Sequence, residues 1–143
     1  MLSWCFLGTK KFLISGIIGG IVIWIISFIF DNILLMQVFP YDIFSLGGMR
    51  SMEDPLMILF FLNPFVLSFA MSYIYRFFSK PFSGDYLRKG TSFGFMVWLV
   101  AGIPSAFIVY TSMDYPIGFT ISSFIGSLLY MLGTGIAIAK FSE

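Results

Sequence analysis

Histidine is missing from the 143-residue chain altogether, and cysteine occurs once, at Cys5. The first absence removes the usual general base, haem ligand and zinc ligand. The second excludes an intramolecular disulfide and a metal cage built on thiolates. Charge is scarce as well: Asp, Glu, Lys and Arg together make up 10% of the residues, against roughly a quarter in a soluble globular domain. So few charges cannot coat a water-facing surface, which excludes a secreted domain or a disordered segment. The 8 basic and 7 acidic residues leave a formal net charge of +1, so there is no basic field to hold a nucleic acid.

What the chain has instead is apolar surface. Hydrophobic residues make up 59% of it, and the mean hydropathy is +0.97. A bilayer core of about 30 Å needs roughly 20 apolar residues in a helix. Charge-free stretches run Phe12–Phe30, Pro55–Tyr75, Gly90–Met113 and Tyr115–Ala139, each long enough to cross. A β-barrel would need polar and apolar residues in alternation, and Ile17-Ile18-Gly19-Gly20-Ile21 does not alternate. The chain therefore reads as an all-α, polytopic integral membrane protein. We expect a single membrane domain over residues 1–143, a four-transmembrane-helix bundle with a long structured outer loop between helices 1 and 2. The spans are expected at 12–30, 55–76, 90–112 and 117–139. They are joined by an outer loop at 31–54, an inner turn at 77–89 and an outer turn at 113–116. The first apolar stretch is longer than that of a cleaved leader and no small-x-small site follows Phe30, so it reads as retained.

Charge asymmetry sets the expected orientation. Lys10, Lys11, Arg76, Lys80, Arg88, Lys89 and Lys140 fall on one side of the expected spans, with Arg50 the one basic exception. Asp31, Asp42, Glu53, Asp54 and Asp114 fall on the other. The Lys/Arg bias predicts a multi-pass protein of the cell membrane with both termini cytoplasmic.

Punctuation supports the same layout. Asp54 before Pro55 reads as an N-cap with proline in the first turn, and Asp114-Tyr115-Pro116 opens the last span similarly. Pro81 and Ser83-Gly84-Asp85 break the chain between the second and third spans. Lys10-Lys11 and Arg88-Lys89 stand at equal distances before Gly16 and Gly94, a pattern that would suit two parallel hairpins. Positive-inside bias and N-capping can produce the same likeness without duplication. Residues 31–54 are too apolar to stay solvated, so either the first helix continues past Asp31 or the segment lies on the outer membrane surface. Its acids and shortage of basic residues favour a lid over the outer end rather than a membrane-surface helix.

Candidate chemistry is sparse. The expected spans hold no charge well inside them, which argues against proton relays and most ion-coupled transporters. The residue types present point to no catalytic group, no metal site and no cofactor. One layer stands out. Asn63 and Pro64 lie about 12 Å inside the outer end of the second span, and Pro104, Ser122 and Ser123 reach comparable depths in the third and fourth. Each proline removes a backbone donor, leaving carbonyls near Phe60 and Val100 in need of partners. The layer reads either as close packing, which we prefer, or as a pocket opening outward. Above it, Arg50, Glu53, Asp54 and Asp114 form a candidate charged cluster, with Arg50 expected to pair with Asp54 or Asp114 and to tie the loop to the outer turn. Trp24 and Trp98 lie inside spans, where an indole N–H needs an acceptor.

These features favour a non-enzymatic membrane subunit or scaffold acting through helix packing and its outer loop. The alternative is an oligomeric channel or carrier for a small solute. A lipid-modifying membrane enzyme ranks last, because its acids would have no His or second Cys to assist them. Expected partners are membrane lipid and either a second copy or a larger membrane complex.

Overall fold

The computed structural model describes residues 2–35, 47, 50–80 and 82–142. Those residues are helical apart from short connections. Four segments are long and apolar enough to cross a membrane: Thr9–Asn32, Met57–Phe78, Tyr86–Ser112 and Ile117–Ser142. Helix α1 (Leu2–Ile29) runs on into a π-helical stretch, Phe30–Leu35, and α2 is Met57–Phe78. Helix α3 (Tyr86–Val97) passes through a second π stretch, Trp98–Gly102, into α4 (Ile103–Ser112), and α5 spans Ile117–Ser142.

The chain makes two hairpins that meet along one helix. Helix α5 packs along both α1 and α3, α1 packs on α2 as well, and α2 touches α5 over a shorter length. Lys11 Nζ donates to the carbonyl of Ser142 at 3.5 Å, so both ends of the described chain lie at one end of the bundle. We call it the terminal end and the other the loop end.

Glycine placement explains why the two hairpins differ in closeness. A Cβ added to Gly90 would fall 2.7 Å from both the Gly135 oxygen and the Ile136 nitrogen. One added to Gly135 would fall 2.9 Å from the Gly94 nitrogen. Here α3 and α5 meet backbone to backbone, as small residues permit in apolar helix pairs. In the other hairpin Gly16 and Gly20 face the rings of Phe69 and Phe65, so side chains hold α1 and α2 further apart. The equally spaced glycines thus sit on the hairpin interface in both halves, with different contacts.

Packing is densest at the terminal end, where Met71, Tyr75, Phe93, Ile138 and Ala139 form a buried cluster. Toward the loop end the bundle thins. Helix α4 has no buried residue, and Ile58, Leu59, Phe60 and Leu62 in the first turns of α2 are exposed.

Three boundaries differ from the sequence expectation for local reasons. The first helix does not stop at residue 30 but continues through Leu35, because Phe30 is buried against Gly126 of α5 and holds the helix on the bundle. Asp31 therefore stands within the helix, level with a point about 13 Å inside the loop end of α5. Helix α2 starts at Met57, not Pro55: the Asp54 carboxylate accepts the Leu56 N–H at 2.9 Å and caps a turn that precedes the helix. Helix α3 begins earlier than Gly90, at Tyr86, where Asp85 accepts the Arg88 N–H at 3.2 Å. Gly84, with φ of 110°, supplies the left-handed backbone before that cap. The lid expected over the outer end falls mostly on residues 36–46 and 48–49, outside the described residues.

Candidate functional site

The two prolines set the local geometry of the expected layer. Pro64 cannot donate to the Phe60 carbonyl, and the turn before it gains a cross-helix donor instead: Trp24 Nε1 donates to the Phe61 carbonyl at 3.2 Å. Their rings stack with centroids 6.0 Å apart. Pro104 follows the π stretch, where the Ile103 N–H reaches back five residues to the Trp98 carbonyl. The wider turn takes up the register change next to the missing donor. Trp98 itself is buried, and its Nε1 donates to Ser127 Oγ at 3.0 Å. Both indoles therefore find acceptors on a neighbouring helix.

The layer residues face different ways. Ser122 is buried and bonds back to the Phe119 carbonyl at 2.9 Å. Pro64 is half-buried. Asn63, Pro104 and Ser123 are exposed on the outside of the bundle. Asn63 makes no hydrogen bond among the described residues, unlike Asn32, whose amide donates to the Phe28 carbonyl of its own helix at 2.9 Å. Large apolar side chains surround Asn63 on the same helix face: Leu59 and Phe60 one turn before it, Val66 one turn after, and Tyr73 and Phe77 further along.

Polar atoms converge elsewhere, at the junction of α1, α2 and α5. Ser15, Ser68, Ser72 and Thr134 are each fully buried. Ser15 and Ser72 share a hydrogen bond of 2.5 Å, and each also reaches the Phe12 carbonyl. Ser68 Oγ and Thr134 Oγ1 have no hydrogen-bond partner. Both side chains border Gly19, whose missing Cβ leaves the room they occupy. Hydroxyls and a carbonyl are groups that bind by hydrogen bonding or by coordinating a hard cation, and none is a strong nucleophile or base. Nothing in the residue pattern marked this seam, since four small side chains spread over three spans look like packing residues.

At the loop end Arg50 pairs with Asp54 at 2.7 Å, four residues away, while Asp114 is exposed in the turn before α5. Glu53 is exposed and its N–H donates to Ser51 Oγ at 3.3 Å. The Leu56 N–H and then the Arg50 guanidinium hold the Asp54 carboxyl below the ordinary carboxylate range. The tie from the loop to the outer turn comes from another residue. Tyr115 OH donates to the Gly47 carbonyl at 3.1 Å, its ring edge-on to Phe119 with centroids 5.0 Å apart. A tyrosine beside Asp114 reads from sequence as an interface aromatic, and its hydroxyl was the available signal.

No family model, curated protein or solved structure matches the chain.

Proposed function

We propose that the chain is a non-enzymatic integral membrane subunit or scaffold that works by packing its helix faces against another membrane helix, from a second copy or a larger complex. On this reading it sits in the cell membrane with both termini cytoplasmic. The observation that carries the proposal is Asn63. It stands exposed on α2 in a face of large apolar side chains, with no hydrogen bond among the described residues. An amide moved into hydrocarbon without a partner costs about 4–8 kcal/mol by water-to-cyclohexane transfer. A polar side chain from a neighbouring protein removes that cost and specifies the contact, whereas lipid tails cannot. The exposed, apolar α4 supports the same view, since it leaves helix surface for a partner at the loop end.

Native mass spectrometry of the protein released gently from its own membrane tests this. The expected result is a complex, with itself or with a larger protein, that the Asn63→Leu variant weakens about three- to thirtyfold, the effect of 0.6–2 kcal/mol per interhelical hydrogen bond. A lone monomer, with the variant indistinguishable from the parent, would overturn it. An oligomeric carrier for a small solute is the alternative. The unpartnered hydroxyls of Ser68 and Thr134 favour it, and solute flux lost in Ser68→Ala with association intact would select it.

A further inference from the structure

The continuation of α1 carries an acid into the first span. Asp31 lies in the π-helical stretch Phe30–Leu35, inside the segment Thr9–Asn32 that is long and apolar enough to cross a membrane. It is half-buried and follows Phe30, whose ring packs on Gly126 of α5. Its charge reaches Tyr130, one turn further along α5. Tyr130 stands about 20 Å from the loop end of α5 and about 15 Å from Lys140, so it is near the middle of that span. A single methylene separates the Asp31 carboxyl from its backbone, so it cannot snorkel to water as a lysine does. A carboxylate held there needs a counter-charge, because an unpaired charge in hydrocarbon is costly.

The chain has no cation to give it. Of the eight basic residues, every one but Arg50 belongs to the terminal end, where both ends of the described chain also lie. The sequence from Ile33 to Met49 holds no Lys or Arg. Arg50 is bonded to Asp54 at 2.7 Å. Among the described residues no cation acts on the Asp31 carboxyl. The Asn32 amide beside it is used within its own helix, donating to the Phe28 carbonyl at 2.9 Å.

The same count argues against a second copy as the source. A copy in the same orientation brings seven of its cations to the terminal end and its Arg50 already bonded. The helix surface beside Asp31 is nevertheless open to a neighbour: Phe28, one turn before it, is 61% exposed, and Trp24 one turn earlier is exposed too. We propose that this face of α1 docks a transmembrane helix of a different protein, one that carries a lysine or arginine at the level of Asp31. The inference rests on the reading that the chain packs against another membrane helix, and it names the chemistry of that helix.

The test places the full chain in phosphatidylcholine vesicles with labelled polyleucine transmembrane peptides and reads association by energy transfer. One peptide carries a single arginine near its centre, charged at any working pH, and the other has leucine there. The arginine peptide is expected to associate about thirtyfold more tightly than the leucine peptide with the parent chain. Asp31→Asn, which keeps the shape of the side chain, should lose that preference, and Asp114→Asn, at an exposed acid in the turn before α5, should keep it. Equal association of the two peptides with the parent overturns the proposal, as does a preference that survives in Asp31→Asn. A native homo-oligomer that both Arg50→Gln and Asp31→Asn dissolve would also overturn it, by assigning the counter-charge to a second copy. Failure of the peptide test, with native complexes still weakened in Asn63→Leu, sinks this inference alone. A lone monomer in native spectra instead counts against the packing reading.

Discussion

Substituting Gly135 by alanine should destabilise the bundle more than the same change at Gly133 on the same helix. The new Cβ would overlap the Gly90 carbonyl and fall 2.9 and 3.0 Å from the nitrogen and Cα of Gly94. Unstrained carbon contacts lie at about 3.5–4.0 Å, so α3 and α5 would have to part by roughly 1 Å. A gap of that size forfeits about a quarter to a half of each dispersion contact. Spread along a close helix pair, at about 0.1–0.2 kcal/mol per atom pair, the loss comes to the 1–3 kcal/mol seen for overpacked cores. Backbone cannot rotate away as a side chain can. At Gly133 the nearest atom is the flexible end of Ile26, which can swing aside, so alanine there should cost less than at Gly135. Reversible unfolding in mixed micelles, read by the fluorescence of buried Trp98, gives the order directly. If Gly135→Ala proved as stable as Gly133→Ala, the backbone contact between α3 and α5 would not be the tight interface of the fold.

The hydroxyl seam gives a paired expectation. Ser68→Ala removes a buried hydroxyl that has no partner and should leave stability within about 0.5 kcal/mol of the parent or raise it. Ser72→Ala breaks the bond to Ser15 and should cost about 0.5–1.5 kcal/mol, measured by the same unfolding curves. Tyr115→Phe keeps the ring against Phe119 but loses the donor to Gly47, so amide exchange at Gly47 and Arg50 should quicken while global stability holds. Unchanged exchange would show that the hydroxyl does not tie the loop. The Asp54 carboxyl titrates below its ordinary 3.8, so its hydrogen bonds contribute fully above that value and are lost as pH falls through the folded one. Exchange at Leu56, whose N–H Asp54 accepts, should show no opening of this turn between about pH 5 and 8 and should rise only below 3.8. An opening near neutrality would refute the assignment.

How much was legible from sequence depended on which force decided the feature. Four long apolar segments follow from length and hydropathy alone, and the turn at Gly84-Asp85 follows from the conformational demands of a chain reversal. The continuation of the first helix through Asp31 was legible only as one of two alternatives, because it depends on Phe30 finding Gly126 on a helix almost a hundred residues away. Which face each span turns inward was equally hidden. Spans this uniformly apolar have little amphipathic bias to orient them, so Asn63 and Ser68, five residues apart on α2, could not be assigned opposite fates. The need of the two indoles for acceptors was legible. The identity of the acceptors was not, since a carbonyl beside a proline and a serine on the next span become partners only when the helices pack.

The distribution of buried polarity bears on the choice between a scaffold and a carrier. A route for a solute must offer polar groups toward both ends of the bundle. From Ser68 and Thr134 the hydroxyls continue toward the terminal end through Ser72 and Ser15 to the Phe12 carbonyl, above whose ring Arg76 is stacked. Toward the loop end the buried side chains of α1 are Ile23 and Phe30, and the Phe30 ring lies against Gly126. Along α1 the seam stops against these apolar side chains, while on α5 the buried Ser127 and Ser122, nearer the loop end, bond back to the Phe124 and Phe119 carbonyls of their own helix, an arrangement that fits packing better than a conducting route. A Phe30→Ala variant that acquired solute leak would mean that this ring is the barrier and the seam a route. One that only lost stability, by about 3–5 kcal/mol for a buried ring, would mean that Phe30 is packing and that the seam on α1 ends short of this ring.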